Sequence, residues 1–221
     1  MEFARIIMGL LESGNWEMGT KMAEKCRDLG HYNSISMLVL RFMLPGVPAL
    51  FQGSESINVH FTDPDNRERV NFNRLVENFE KTVSMPLKSL EECDFPSLKS
   101  RMVAVLSTIR RELAHVIDSG KMEALQVSGD HSESILSYYM VSENELIIVV
   151  CLRLFSKITS ETNALDPDKL KDASIVLPSG FQGKYIDLLS GRAVVISGEL
   201  KIRHLVDNVP AVILRRVSGL E

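Results

Sequence analysis

Through the first half of the chain, apolar residues recur at spacings of three and four. Phe3, Ile6, Ile7, Leu10 and Leu11 fall on one side of a helix, and Tyr32, Ile35, Val39, Phe42 and Met43 on one side of another. The second helix, over 32–44, is stopped by Pro45-Gly46. A third begins after Asp94, a capping residue, with Pro96 in its first turn. It runs Leu98, Met102, Val105, Leu106, Ile109 and Leu113 along its buried stripe and should stop by Ser119-Gly120. Only two short strands fit between these helices, Leu11 to Asn15 and Pro48 to Gln52.

Beyond Gly120 the period falls to two or to short β-branched runs: Ile135 to Met140, Glu145 to Leu152, Ser174 to Leu177, Lys184 to Leu188, Ala193 to Ile196, Leu200 to His204 and Ala211 to Leu214. Turn formers separate them, among them Pro178-Ser179-Gly180, Ser190-Gly191 and Asp207-Asn208. Short strands at that spacing predict an antiparallel β-sandwich over 120–221, set off from a helical part over 1–119. That helical part cannot enclose a core of its own. Met1 stands directly on an amphipathic helix with no capping residue before it, as an internal start would.

Composition narrows the class. The chain has 221 residues, 45% apolar and 24% charged, with 25 basic against 29 acidic side chains and a formal charge of −4. That balance is globular and argues against a disordered tail or a polybasic nucleic-acid binder. No apolar run approaches the ~20 residues that a membrane-spanning helix needs. Three widely spaced cysteines, Cys26, Cys93 and Cys151, make neither a metal box nor an even disulfide framework, so the redox compartment stays open. No metal or other cofactor is implied.

The segment Leu44-Pro45-Gly46-Val47-Pro48-Ala49-Leu50-Phe51-Gln52-Gly53-Ser54-Glu55 resembles the end of the catalytic barrel in the α-amylase family of glycoside hydrolases, where a helix ends in Leu-Pro-Gly and a strand follows. Asp63-Pro64-Asp65-Asn66-Arg67-Glu68-Arg69-Val70-Asn71-Phe72 looks like a drifted form of that family's Asp-Pro-x-Arg segment. The resemblance implies that 1–119 are the last βα units of a (β/α)8 TIM barrel and that 120–221 are the family's C-terminal β-sandwich. Such a barrel normally needs ~250 residues. The family's nucleophile and general acid would then precede Met1.

At the end of the seventh barrel strand active members carry Asn-His-Asp, and this chain reads Asn15-Trp16-Glu17. An indole replaces the imidazole and the carboxylate sits one methylene further out; a ~1 Å misplacement can cost ~100-fold in rate. These are expected to be vestigial positions, leaving the chain without catalytic residues. The stretch Asn15-Trp16-Glu17-Met18-Gly19 resembles the heavy chains of heteromeric amino-acid transporters, which keep an amylase-like ectodomain without its catalysis. That resemblance implies a non-enzymatic ectodomain at the extracellular side of the plasma membrane, with a transporter light chain as partner and an anchor outside this chain. The alternative is part of an active α-glucosidase or maltase-like hydrolase, completed upstream, with Glu17 in place of the usual Asp.

Other candidates have plainer readings. Asp63, Asp65 and Arg67 open like a calcium loop, but the sixth position is Glu68 and the twelfth Arg74, so a solvated loop is expected. Glu112 and His115 have the spacing of a di-iron helix without a second copy, and read as a surface pair. His31, His60, His131 and His204 do not cluster. Gly180-Phe181-Gln182-Gly183 reads as a hairpin turn, and Cys151 as a buried packing residue.

Overall fold

A computed structural model describes residue 9 and residues 16–51, 53–57, 69–84, 94–143, 145–206 and 209–217, with the backbone alone for 16–18. The first predicted helix, apart from Gly9, and the strand over 11–15 lie outside these residues. The next helix, α1 (Trp16–Met43), has 28 residues and so is about 42 Å long. It starts well before the predicted position 32. Its first part, 19–27, is exposed, whereas Ile35, Leu38, Val39, Phe42 and Met43 are buried. The extension buries little, with Leu29 and Tyr32 only partly covered against the sheet core.

Two helices follow. α2 (Phe72–Thr82) is capped by Asn71, whose side chain accepts from the Arg74 amide. α3 (Phe95–Glu112) opens as predicted, with the Asp94 carboxylate accepting from the Ser97 amide at 2.9 Å. It does not continue to Ser119. The helix breaks at Leu113 and resumes as the short α4 (Ala114–Ser119). Gly120 then lets the chain turn, since a Cβ there would lie 2.3 Å from the Val116 carbonyl oxygen.

The rest of the described chain forms two antiparallel sheets. Strands β1 (Lys121–Ala124), β3 (Ile135–Val141), β4 (Leu146–Leu152), β6 (Gly183–Asp187), β7 (Ala193–Ile196) and β9 (Ala211–Arg216) form the larger sheet, in the order β1-β3-β4-β9-β6-β7. The smaller sheet joins β2 (Gln126–Ser128), β5 (Ser174–Val176) and β8 (Leu200–Lys201) in the order β2-β5-β8. Two of these strands, β1 and β2, were not predicted. They are only four and three residues long, and β1 is exposed throughout, so their alternation is too short to stand out. The predicted strand over 200–204 ends at Lys201, and a 3₁₀ turn takes Ile202–His204.

β4 explains the packing. It is buried along its whole length, as a strand covered on both faces must be. Ile148, Val150 and Leu152 join Ile175, Leu200 and Tyr185 in a core that reaches the small sheet. Ile147, Val149 and Cys151 alternate to the other face and join Val39, Phe42, Met102 and Leu106 from α1 and α3. The helices therefore bury their apolar stripes on the outer face of the large sheet. Cys151 is buried as expected, and burial pushes its thiol up to about 12.

The predicted strand Pro48 to Gln52 is not formed. Among the described residues, 47–51 pair with no other strand. A barrel strand needs neighbours on both sides, and here the segment is held by the Arg41 side chain, the turn at Ser54 and the packing of Leu50 on the helical core. All ladders among the described residues are antiparallel.

Candidate functional site

The residues singled out by the sequence lie at the start of α1. Trp16 and Glu17 form its first turn, while Asn15 lies outside the described residues. Glu17 is thus the second residue of a long helix. Its setting is a helix opening and not an interior position.

At the other end of α1 the chain turns through Pro45-Gly46, with Gly46 at φ +109. The carbonyls freed there need donors. The largely buried Arg110 guanidinium supplies them, donating to Phe42 O at 2.9 Å and to Leu44 O and Gly46 O at 2.6 Å each, while Asp118 pairs with it. The Tyr138 hydroxyl donates to Met43 O at 3.0 Å, and burial holds that phenol above its ordinary range. Arg110 carries no signal in the sequence for this part. Its role depends on a helix end more than sixty residues away, which no local pattern reports.

Past this clamp, residues 47–51 and 53–57 form a rim. Arg41 donates to Ala49 O at 2.9 Å. Ser54 closes a turn on itself, its amide donating to Phe51 O and its hydroxyl accepting from the Phe51 amide, both at 3.0 Å. Gly53, at φ +80, packs so closely that a Cβ would sit 3.2 Å from the Val70 side chain. Ser100 donates to Glu55 O at 3.3 Å, which ties the turn to α3. Beside it the half-buried Lys99 has its ammonium pKa lowered, first by loss of solvent and then by Arg41, with Glu55 opposing. The rim thus brings Arg41, Glu55 and Lys99 within electrostatic reach of one another.

The remaining candidates disperse. His31 stacks on Phe95 with ring centroids 3.8 Å apart, and desolvation lowers its pKa. The break at Leu113 puts Glu112 and His115 on different helices, and His115 meets the Ser142 hydroxyl at 2.9 Å. Arg74 belongs to α2 and not to an ion loop, while Asp63, Asp65, Arg67, Glu68, His60 and Cys93 lie outside the described residues. Among the described residues no group of three or more His, Cys, Asp or Glu side chains comes together. Gly180 to Gly183 is not a hairpin turn. It connects β5 of the small sheet to β6 of the large one, with Phe181 set edge-on against Tyr139.

Helices seated on the larger of two antiparallel sheets define the architecture, and the solved structures that share it are α-amylase-family glycoside hydrolases. A crystal structure of maltooligosyl trehalose synthase is 26% identical over 90% of this chain and 23% of its own, with a TM-score of 0.65. The maltooligosyltrehalose synthase of Arthrobacter ramosus is 18% identical over 90% of this chain and 24% of its own, with a TM-score of 0.68. An Anoxybacillus α-amylase is 19% identical over 86% of this chain and 33% of its own, at 0.56. The chain therefore spans about a quarter to a third of the length of these structures. No protein-family model and no curated protein sequence matches it.

These likenesses overturn the reading as a non-catalytic transporter heavy chain. That reading rested on five residues, Asn15 to Gly19, whereas the likeness to enzymes runs over most of the fold. The expectation of no enzymatic activity is corrected with it, since the similar structures are a synthase and amylases. The expected light-chain partner and plasma-membrane placement depended on the same reading and have no separate support in the structure. Among the described residues no helix is long and apolar enough to cross a membrane.

Proposed function

We propose that this chain is part of a longer α-glucan-active enzyme, and that the whole enzyme works on the glycosidic bonds of maltooligosaccharides. The observation that carries the reading is the 26% identity to maltooligosyl trehalose synthase over 90% of the chain, in a shared fold. On this reading residues 1–119 derive from the last βα units of a barrel and 120–221 form the C-terminal sheet unit that braces them. Glycosidic chemistry in this class takes a pair of carboxylates flanking the bond. Both are assigned to the rest of the polypeptide. This chain contributes the opening of α1, where Glu17 is the candidate third carboxylate, and the rim with Arg41, Glu55 and Lys99 as candidate hydroxyl-binding groups.

The test is to incubate the intact polypeptide with maltopentaose and resolve the products by chromatography. Conversion to new saccharides supports the reading, and Glu17→Gln should lower the rate at least ~100-fold if its carboxylate stands at the reacting sugar. An intact, folded polypeptide that leaves maltopentaose unchanged refutes it.

A further inference from the structure

Helix α2 is capped and docked, yet one of its faces is bare. It packs along α3, with Thr82 buried, and Leu75 lies near Gly53 of the rim. Phe72, Val76, Phe79 and Val83 nevertheless remain 68, 53, 44 and 41% exposed. Single exposed apolar residues need no explanation, but a contiguous stripe marks an interface. These four follow one another at intervals of four, three and four residues, the spacing with which one helix seats against another. At 3.6 residues per turn they fall within about 60° of arc. On the open side of the stripe stand Glu80 and Glu77, both exposed.

Resting on the proposed function, we infer that this stripe is the seat of an amphipathic helix with a basic flank, supplied by the part of the same polypeptide that lies outside this chain. Three observations favour that occupant. The similar structures are three to four times longer than the segment matched here, so most of such an enzyme remains to be placed. The segment 47–51, in the rim whose Gly53 lies near Leu75, has no strand partner among the described residues, and its Val47 and Phe51 are 93 and 63% exposed, so the rim too offers apolar surface. A second copy fits less well, because in antiparallel pairing the flanking positions would set Glu80 against Asn73, with no base opposite either.

The experiment compares Val76→Glu in two settings, the intact polypeptide and the 221-residue chain, by thermal unfolding and sedimentation equilibrium. The inference expects Tm to fall by about 5 °C or more in the intact polypeptide and to stay unchanged in the chain alone. If Val76→Glu does not fold in the intact polypeptide, Val76→Ala gives the same asymmetry with a smaller shift. Glu80→Lys should also lower Tm in the intact polypeptide alone. Equal losses in both settings, or none in either, overturn the inference. So does a dimer of the 221-residue chain that Val76→Glu dissociates, since the occupant is then a second copy. Because the readout is melting and not turnover, an intact polypeptide that is inactive on maltooligosaccharides but sensitive at Val76 refutes the functional reading and leaves the inference standing.

Discussion

Replacing Asp187 should unfasten the large sheet. Its carboxylate is 3% exposed and accepts from the amides of Leu189 at 3.1 Å, Ser190 at 3.2 Å and Ile213 at 3.2 Å, and from the Ser190 hydroxyl. One buried group thereby ties the turn after β6 to the middle of β9. Asp187→Ala leaves the amides of Leu189 and Ile213, both buried, without partners. Each orphaned buried donor costs about 1–3 kcal/mol, while the less buried Ser190 amide recovers water, so the loss should be about 3–5 kcal/mol. For a chain of this size that is a fall in Tm of about 10 °C. Asp187→Asn keeps an oxygen for Leu189 and Ile213 and gives up only the Ser190 side, and should cost about 1–2 kcal/mol. Urea unfolding followed by circular dichroism reads both, with an unchanged m-value showing that stability alone has moved. An alanine variant within about 0.5 kcal/mol of the parent, or an asparagine variant as costly as alanine, would refute the reasoning.

Three further outcomes are expected. Arg110→Met should cost about 1–2 kcal/mol, because part of its carbonyl set is solvent-accessible, and should speed proteolysis within 44–51; unchanged cleavage there would count against the clamp. The His31 pKa is lowered in the fold, so its contribution to stability is present above the ordinary value of 6.5 and is lost as pH falls through the folded pKa, the unfolded chain binding the proton more readily. Urea midpoints at pH 8, 6 and 5 should show that slope, reduced in His31→Leu; identical slopes would remove His31 as its source. Peptide mapping after brief treatment with a thiol reagent should find Cys26, which is exposed, labelled and Cys151 unlabelled until urea is added. Native labelling of Cys151 would contradict the packing of β4.

The sequence made the sheet half legible where burial imposes a pattern. β3, β4 and β9 bury side chains on both faces, and their largely apolar runs show it; Asp94-Phe95-Pro96 marks a helix start through purely local chemistry. What escaped prediction buries little of its surface. β1 is exposed on every residue, residues 19–27 of α1 are exposed, and α2 turns its apolar stripe outward, so each departs from the rule that periodicity reports burial. The strand expected over 48–52 shows the converse, a β-prone segment without the neighbours that would make it a strand. The site was half legible. Resemblance at Leu44 to Glu55 located the rim, but the bonds that shape it come from Arg41, Ser100 and Arg110, which are distant in sequence. At Asn15 to Glu17 a short likeness outweighed the fold, and the loss of a histidine was read as the loss of activity.

Counting reducing ends as the intact polypeptide acts on maltopentaose tests the account most directly. Glycosidic chemistry on an α-glucan must change the count or the product set: transfer of the terminal bond to an α,α-1,1 linkage lowers the number of reducing ends, and hydrolysis raises it. The account predicts a progressive change carried by the enzyme and sharply reduced in Glu17→Gln. A folded intact polypeptide that leaves both the count and the products where they began would contradict it.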